Sequence, residues 1–253
     1  TMTDRLRNDP RNLEISPVAG GRYTPEFLAN LADRSDVAFV LPRTRAISAT
    51  MELAAGEGLR RRVLNVSLEP TATGDPLLAR HLPTATVAPE NRSASVVLSA
   101  SAARKLRLRP GDAVHGRVER TFQGTPQSAG VPLTVTAVLP LEAEQKDVAF
   151  VPLPLLEATE DYRDGRSAPA FGWPGEARPD GPRLYPSFRL YARTLEDVAA
   201  LRRVFTRQGL EVYTRAEEIA AVTNLDTSLT VIFGLIVAAA GIGFLASTAG
   251  NAL

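Results

Sequence analysis

Hydrophobic positions recur at two spacings through most of the chain, and a charge-free apolar run follows them. Residues 12–17 (Asn-Leu-Glu-Ile-Ser-Pro) read as a short strand. Thr24-Pro25 supplies an N-cap and a proline at the first helical position, which predicts a helix to about Arg34 with Phe27, Leu28 and Leu31 on one face. Residues 36–41 form a buried-type strand that Pro42 is expected to end. Ile47, Ala49, Met51 and Leu53 then alternate with polar neighbours, as do Leu64, Val66 and Leu68 beyond Gly56-Glu57-Gly58, which is a hairpin pattern. Similar signals return further on. Phe188, Leu190 and Ala192 alternate as a strand, and Thr194 with Asp197 opens a helix through a variant capping box. Leu195, Val198, Leu201, Val204 and Phe205 form its apolar stripe, Gly209 is its expected stop, and 210–213 is a further strand. Thr214 and Glu217 make a second capping box, opening a helix that heads towards the apolar run.

Two strand–helix–strand units, one on each side, predict an α+β fold in which 1–58 and 184–226 build one ferredoxin-like α/β layer of porter type. Residues 59–183 are expected to be an inserted, mostly β subdomain, a small barrel or sandwich. It carries one helix over 99–106, a turn over 108–114 that feeds a strand, and further strands over 131–139 and 148–152. Four Gly and five Pro between 164 and 186 make that stretch an irregular loop. Phe171 and Trp173, the sole tryptophan, lie in it as candidate partner contacts. A second reading of Trp173 stays open, that the ring folds back and pins its own loop.

All 29 basic and 28 acidic residues precede Thr227. As a helix, 227–253 is about 40 Å long against a hydrocarbon core of roughly 30 Å, and a transmembrane helix is predicted there. Ala239, Gly243 and Ser247 fall at four-residue spacing, the pattern that lets a neighbouring helix pack closely. The glycines at 241 and 243 look like a dinucleotide-binding turn, but no strand precedes them and no amphipathic helix follows. Charges beside the run are acidic (Glu217, Glu218, Asp226), and the nearest basic residue is Arg215. The positive-inside rule therefore places 1–226 on the non-cytoplasmic side. Starting at Thr1 and stopping in or just after the apolar run, the sequence reads as a piece of a longer membrane protein.

Composition removes options more than it adds them. A net charge of +1 argues against a nucleic-acid binder, and the absence of cysteine excludes disulfides and thiolate chemistry. His81 and His115 are the only neutral-pH bases, and neither stands in a spacing pattern with a serine or a carboxylate. HExxH, GxSxG and P-loop motifs are absent. Glu142 with Glu144, and Asp161 with Asp164, are close carboxylates expected on solvated loops, and the Arg60-Arg61-Arg62 run is expected to be surface. No catalytic, cofactor-binding or metal-binding residue is assigned, and the chain is not read as an enzyme.

Residues 12–17, the Thr24 helix and 36–42 together resemble the opening of MacB/FtsX-type ABC transporter permeases just after their first transmembrane helix. Residues 96–114, from Val96-Val-Leu-Ser to Pro110-Gly-Asp-Ala-Val114, look like the periplasmic domain of the same family, especially its lipoprotein-releasing branch. Phe150-Val-Pro-Leu-Pro-Leu-Leu156 is similar as well. The resemblance implies an extracytoplasmic domain between the first two transmembrane helices of a permease in a bacterial inner membrane. It implies a second permease copy or paralogue and separate cytoplasmic ATPase subunits, which bind the ATP, so no cofactor is expected in this chain. ATP hydrolysis is then expected to move a lipid, lipoprotein or peptide outside the cytoplasm. The alternative is a signal-transmitting domain that activates a periplasmic partner such as a cell-wall hydrolase.

Overall fold

The computed structural model describes residues 9–82 and 94–215. Asp9 accepts from the Arg11 N–H at 3.0 Å and caps a single turn, α1 (Pro10–Leu13). A helical turn thus replaces the start of the strand expected from Asn12, because a capping aspartate followed by proline favours helix initiation. Next come β1 (Glu14–Pro17), α2 (Pro25–Ala32) and β2 (Val37–Arg43). Thr24 caps α2 as expected, its hydroxyl accepting from the Phe27 N–H at 3.1 Å. β2 runs on through Pro42, where the sequence predicts an end. It is an edge strand, and one row of its N–H groups has no ladder partner to lose.

The hairpin around Gly56 joins β3 (Thr50–Ala55) to β4 (Arg62–Thr71). Gly56 has φ +76°, and a Cβ there would lie 2.8 Å from the Arg60 carbonyl oxygen, so the turn needs glycine. The chain continues through α3 (Pro76–His81), β5 (Ala94–Ser99), α4 (Ala100–Leu106), β6 (Ala113–Phe122), β7 (Thr125–Leu139), β8 (Val148–Pro152) and α5 (Leu153–Arg163). It ends with β9 (Ser187–Ala192), α6 (Leu195–Arg207) and β10 (Val212–Thr214). The Thr194–Asp197 capping box opens α6, and Gly209 follows it at φ +74°.

β3 to β8 form a closed six-stranded barrel in the order β3-β4-β8-β5-β7-β6. The β4/β8 and β5/β7 neighbours are parallel and the other pairs antiparallel. Alternate residues such as Met51, Leu53, Val66, Leu68, Val118, Leu133 and Val135 fill its interior. Leu106 of α4 and Leu155, Leu156 and Tyr162 of α5 extend the same core. The expected boundary at residue 58 separates β3 from β4, yet β3 belongs to the barrel and closes it by also pairing with β6. Alternation marks a strand but does not say which sheet receives it.

The remaining strands form a sheet in the order β10-β1-β9-β2, antiparallel at each junction. One face holds Ile15, Val37, Phe188, Leu190 and Val212 against Leu28 and Leu31 of α2 and Val198, Leu201 and Phe205 of α6. The other face presents Phe39 and Tyr191 to the barrel's outer surface, where Val97, Leu139, Val148 and Phe150 meet Leu77 and Leu78 of α3. The sheet is therefore covered by helices on one side and by the barrel on the other, a mixed α+β arrangement with two links between its parts, 44–49 and 164–186. The expected transmembrane helix 227–253, with Ala239, Gly243 and Ser247, lies outside the described residues. So does the helix expected to lead into it. Among the described residues no helix is long and apolar enough to cross a membrane.

Candidate functional site

Trp173 is 4% exposed, and its indole N–H donates to the Gly130 carbonyl of β7 at 2.9 Å. Tyr162 meets the ring edge-on at 5.6 Å, and the partly buried Phe171 lies against it at 5.4 Å. Two backbone bonds between Ala168 and Trp173 close the loop on itself. The indole thus pins its own loop to the barrel, and it presents no anchor to a partner. A buried tryptophan needs both an apolar wall and an acceptor for its N–H, and here both come from the barrel.

Asp161 and Asp164, expected on a solvated loop, instead sit at the end of α5 in a charged cluster. The first turn of α5 contains Pro154, which removes no helical hydrogen bond there but masks the helix in the sequence. Arg183, 8% exposed, bonds Glu160 at 2.9 Å, pairs with Asp161 and lies 3.6 Å from Glu157. From the other link, Arg45 donates its backbone N–H and its Nε–H to Glu160 Oε1, both at 3.0 Å, and pairs with Asp164. The Tyr185 hydroxyl donates to Glu157. Burial first, and the Glu157 carboxylate second, push the Tyr185 phenol above its ordinary value. Both links between sheet and barrel are thereby held to one helix end.

A second ionic tie crosses the interface itself. Arg189 of β9, 2% exposed, points away from the α2/α6 face and donates to the Pro70 carbonyl at 2.9 Å and to Asp75. Asp75 also accepts from the Thr71 hydroxyl at 2.9 Å and from the Leu77 N–H at 3.0 Å, capping α3. Burial disfavours the Arg189 charge, but the neighbouring Tyr191, Asp75, Glu14 and Glu69 outweigh it and hold the guanidinium above its ordinary value. Burial likewise raises the Tyr191 phenol. Arg43 of β2 bridges Glu69 at 2.8 Å and Glu14 at 3.3 Å, joining sheet and barrel a second time. Beside these ties lies a cavity of about 350 Å³ lined by Val18, Thr44, Ala49, Leu68 and Leu156. The charge pattern that builds this junction spans 114 residues between Arg189 and Asp75, so no local spacing signals it.

His115 is on the outer side of β6, and His81 ends α3. Among the described residues no group of three His, Cys, Asp or Glu side chains is placed to hold a metal ion. The hydroxyls of Thr71 and Ser101 donate to Asp75 and Asp147, which are engaged with Arg189 and Lys105. No family model matches the chain, and no curated protein matches it.

Proposed function

We propose that the chain is the extracytoplasmic domain of a MacB/FtsX-type permease subunit, anchored in the membrane by a helix over 227–253. In this reading 1–226 face away from the cytoplasm, and cytoplasmic ATPase subunits drive the movement of a lipid, lipoprotein or peptide. The observation that carries it is the pairing of β1 with β10, in which Ile15 stands opposite Thr214. The chain enters and leaves the sheet on neighbouring strands at one end. A domain held by two helices of the same membrane needs both its ends to face that membrane, and this geometry meets that need. Charge-free sequence begins shortly beyond, at Thr227. The strand order β10-β1-β9-β2, with α2 and α6 as crossovers, supports reading the sheet as a ferredoxin-like layer. The barrel supports reading 50–163 as the inserted part.

The chain has no cysteine, so a single introduced thiol reports its own location. Leu59, fully exposed at the β3–β4 turn, is the site of choice. In intact cells with a permeabilised outer envelope, L59C is expected to react with a membrane-impermeant maleimide, and the protein to pellet with membranes after alkaline washing. It is also expected to co-purify in detergent with a stoichiometric ATPase subunit. Labelling only after lysis of the cytoplasmic membrane would sink the topology. Purification with a soluble hydrolase and no ATPase would sink the transport role.

A further inference from the structure

A cavity of about 590 Å³ opens on the flank of the barrel, with Ile47 and Ser48 of the first link at its edge. Arg117 and Arg120 of β6 and Arg163 at the end of α5 line it. Its two acids are already engaged, Asp164 with Arg45 and Glu119 with Arg117, which also lies 3.8 Å from Glu52. Arg120 is 7% exposed, and all its bonds go to neutral oxygens. It donates to Gln127 Oε1 at 2.9 and 2.6 Å and to the Tyr162 and Pro174 carbonyls at 3.0 Å each. Its guanidinium rests over the Tyr162 ring at 3.9 Å. Arg163 donates to the carbonyl and hydroxyl of Thr50, both at 3.1 Å. Among the described residues no carboxylate lies within ion-pair distance of Arg120 or Arg163.

The same wall holds unspent donors. The Nε–H groups of Arg117 and Arg163 are buried without an acceptor. Desolvation holds the Arg163 guanidinium below its ordinary value, against a smaller opposing pull from Glu119. A cation taken out of water without a counter-charge is costly, and an unmade buried hydrogen bond adds to the cost. Guanidinium forks match the planar and tetrahedral oxygens of carboxylates and phosphates better than any other ligand. Two uncompensated arginines call for a ligand with about two negative charges and several acceptor oxygens.

We propose that this cavity binds a phosphate-class oxyanion, with Arg163 and Arg117 donating to its oxygens and Arg120 as a charge fixed in place by Gln127. The inference is independent of the membrane role. The phosphate group can belong to a soluble ester or to a lipid headgroup, and the test separates these. Calorimetric titration of the full chain in a non-ionic detergent with inorganic phosphate, at low chloride, is expected to show saturable binding. Arg163→Gln and Arg117→Gln are each expected to weaken it at least tenfold while leaving circular dichroism and Trp173 fluorescence unchanged. Arg203→Gln, on the exposed side of α6, is expected to bind as the parent does. Dihexanoyl phosphatidic acid is titrated in parallel. Tighter binding than phosphate assigns a lipid headgroup, and binding of phosphate alone assigns a soluble ligand. Absence of saturable phosphate binding, or equal binding by the parent and both arginine variants, overturns the proposal.

Discussion

Replacing Asp75 by Asn tests whether the Arg189–Asp75 pair holds the barrel to the sheet. The side chains are 2% and 0% exposed, so neither charge has water to fall back on. Asn keeps a carbonyl oxygen for the Leu77 N–H but strips the counter-charge from a guanidinium whose Nε already lacks a partner. Breaking a buried pair from one side costs about 3–5 kcal/mol, a large share of the roughly 5–15 kcal/mol that holds a domain together. Arg189→Met is expected to cost a similar amount, about 3–5 kcal/mol, because the buried Asp75 carboxylate keeps its bonds from Thr71 and Leu77 but loses its counter-charge. The double variant is expected to fall short of the sum by about 1–3 kcal/mol, the signature of groups in direct contact.

Urea unfolding of the full chain, followed by two probes, measures this. Trp173 is the only tryptophan and sits on the barrel, so its fluorescence reports the barrel, whereas far-ultraviolet circular dichroism reports every element. In the parent the two transitions are expected to coincide. In Asp75→Asn they are expected to separate, because the sheet then leans on the Arg43 bridges, the Arg45 and Arg183 cluster at the links and the apolar contacts around Tyr191. Additive single costs below about 1 kcal/mol each, with coincident transitions throughout, would refute the reasoning.

Three further outcomes follow from the same packing. Trp173→Ala removes a buried ring and the bond to Gly130, and is expected to lower stability by about 3–5 kcal/mol in a thermal melt; a shift typical of surface sites would show that the loop is held elsewhere. Gly116→Ala places a Cβ 2.4 Å from the Met51 sulfur inside the barrel, with an expected cost of about 1–3 kcal/mol and an unchanged melting temperature as the contrary result. Hydrogen bonds from Arg34 and Lys105 hold the Asp36 and Asp147 carboxyls below their ordinary 3.8. A depressed folded value means that this stability is present above about pH 4 and lost as pH falls through the folded value. Asp147→Asn is therefore expected to flatten the acid limb of the urea midpoint against pH, and an unchanged limb would deny the pair a role.

Local grammar was readable wherever one residue type does one job. Thr24, Ser99 and Thr194 announce three helix starts, and Gly56 and Gly209 occupy the positive-φ positions that only a turn or a helix stop requires. The alternation around Met51 and Leu53 is a true strand, but its partners in the barrel are β4 and β6, and the second of these lies far along the chain. Closure of a barrel is a non-local property that no window of residues contains. The acidic end of α5 misled for a related reason. Glu160 and Asp161 are charged and would be solvated, except that Arg45 and Arg183 arrive from two distant links to satisfy them. Arg120 and Arg163 are unremarkable among 27 arginines until the fold leaves them beside Arg117 with no carboxylate of their own.

The position of Arg189 gives the junction its mechanical sense. Ile15 pairs with Thr214 on one side and with Leu190 on the other. The residue next to Leu190 is Arg189, whose guanidinium reaches Asp75 at the start of α3. From the point where the chain leaves the sheet, two ladder steps and one peptide bond thus lead to the barrel. A displacement applied at Thr214 therefore has a short, hydrogen-bonded route across β10, β1 and β9, in place of a flexible linker. Continuity of this kind acquires meaning only with a coupling energy attached to it. The Asp75–Arg189 cycle supplies that energy for the last step of the route. In the proposed permease, a variant that keeps its fold but loses this coupling should still reach the membrane and still support ATP hydrolysis, while cargo movement fails.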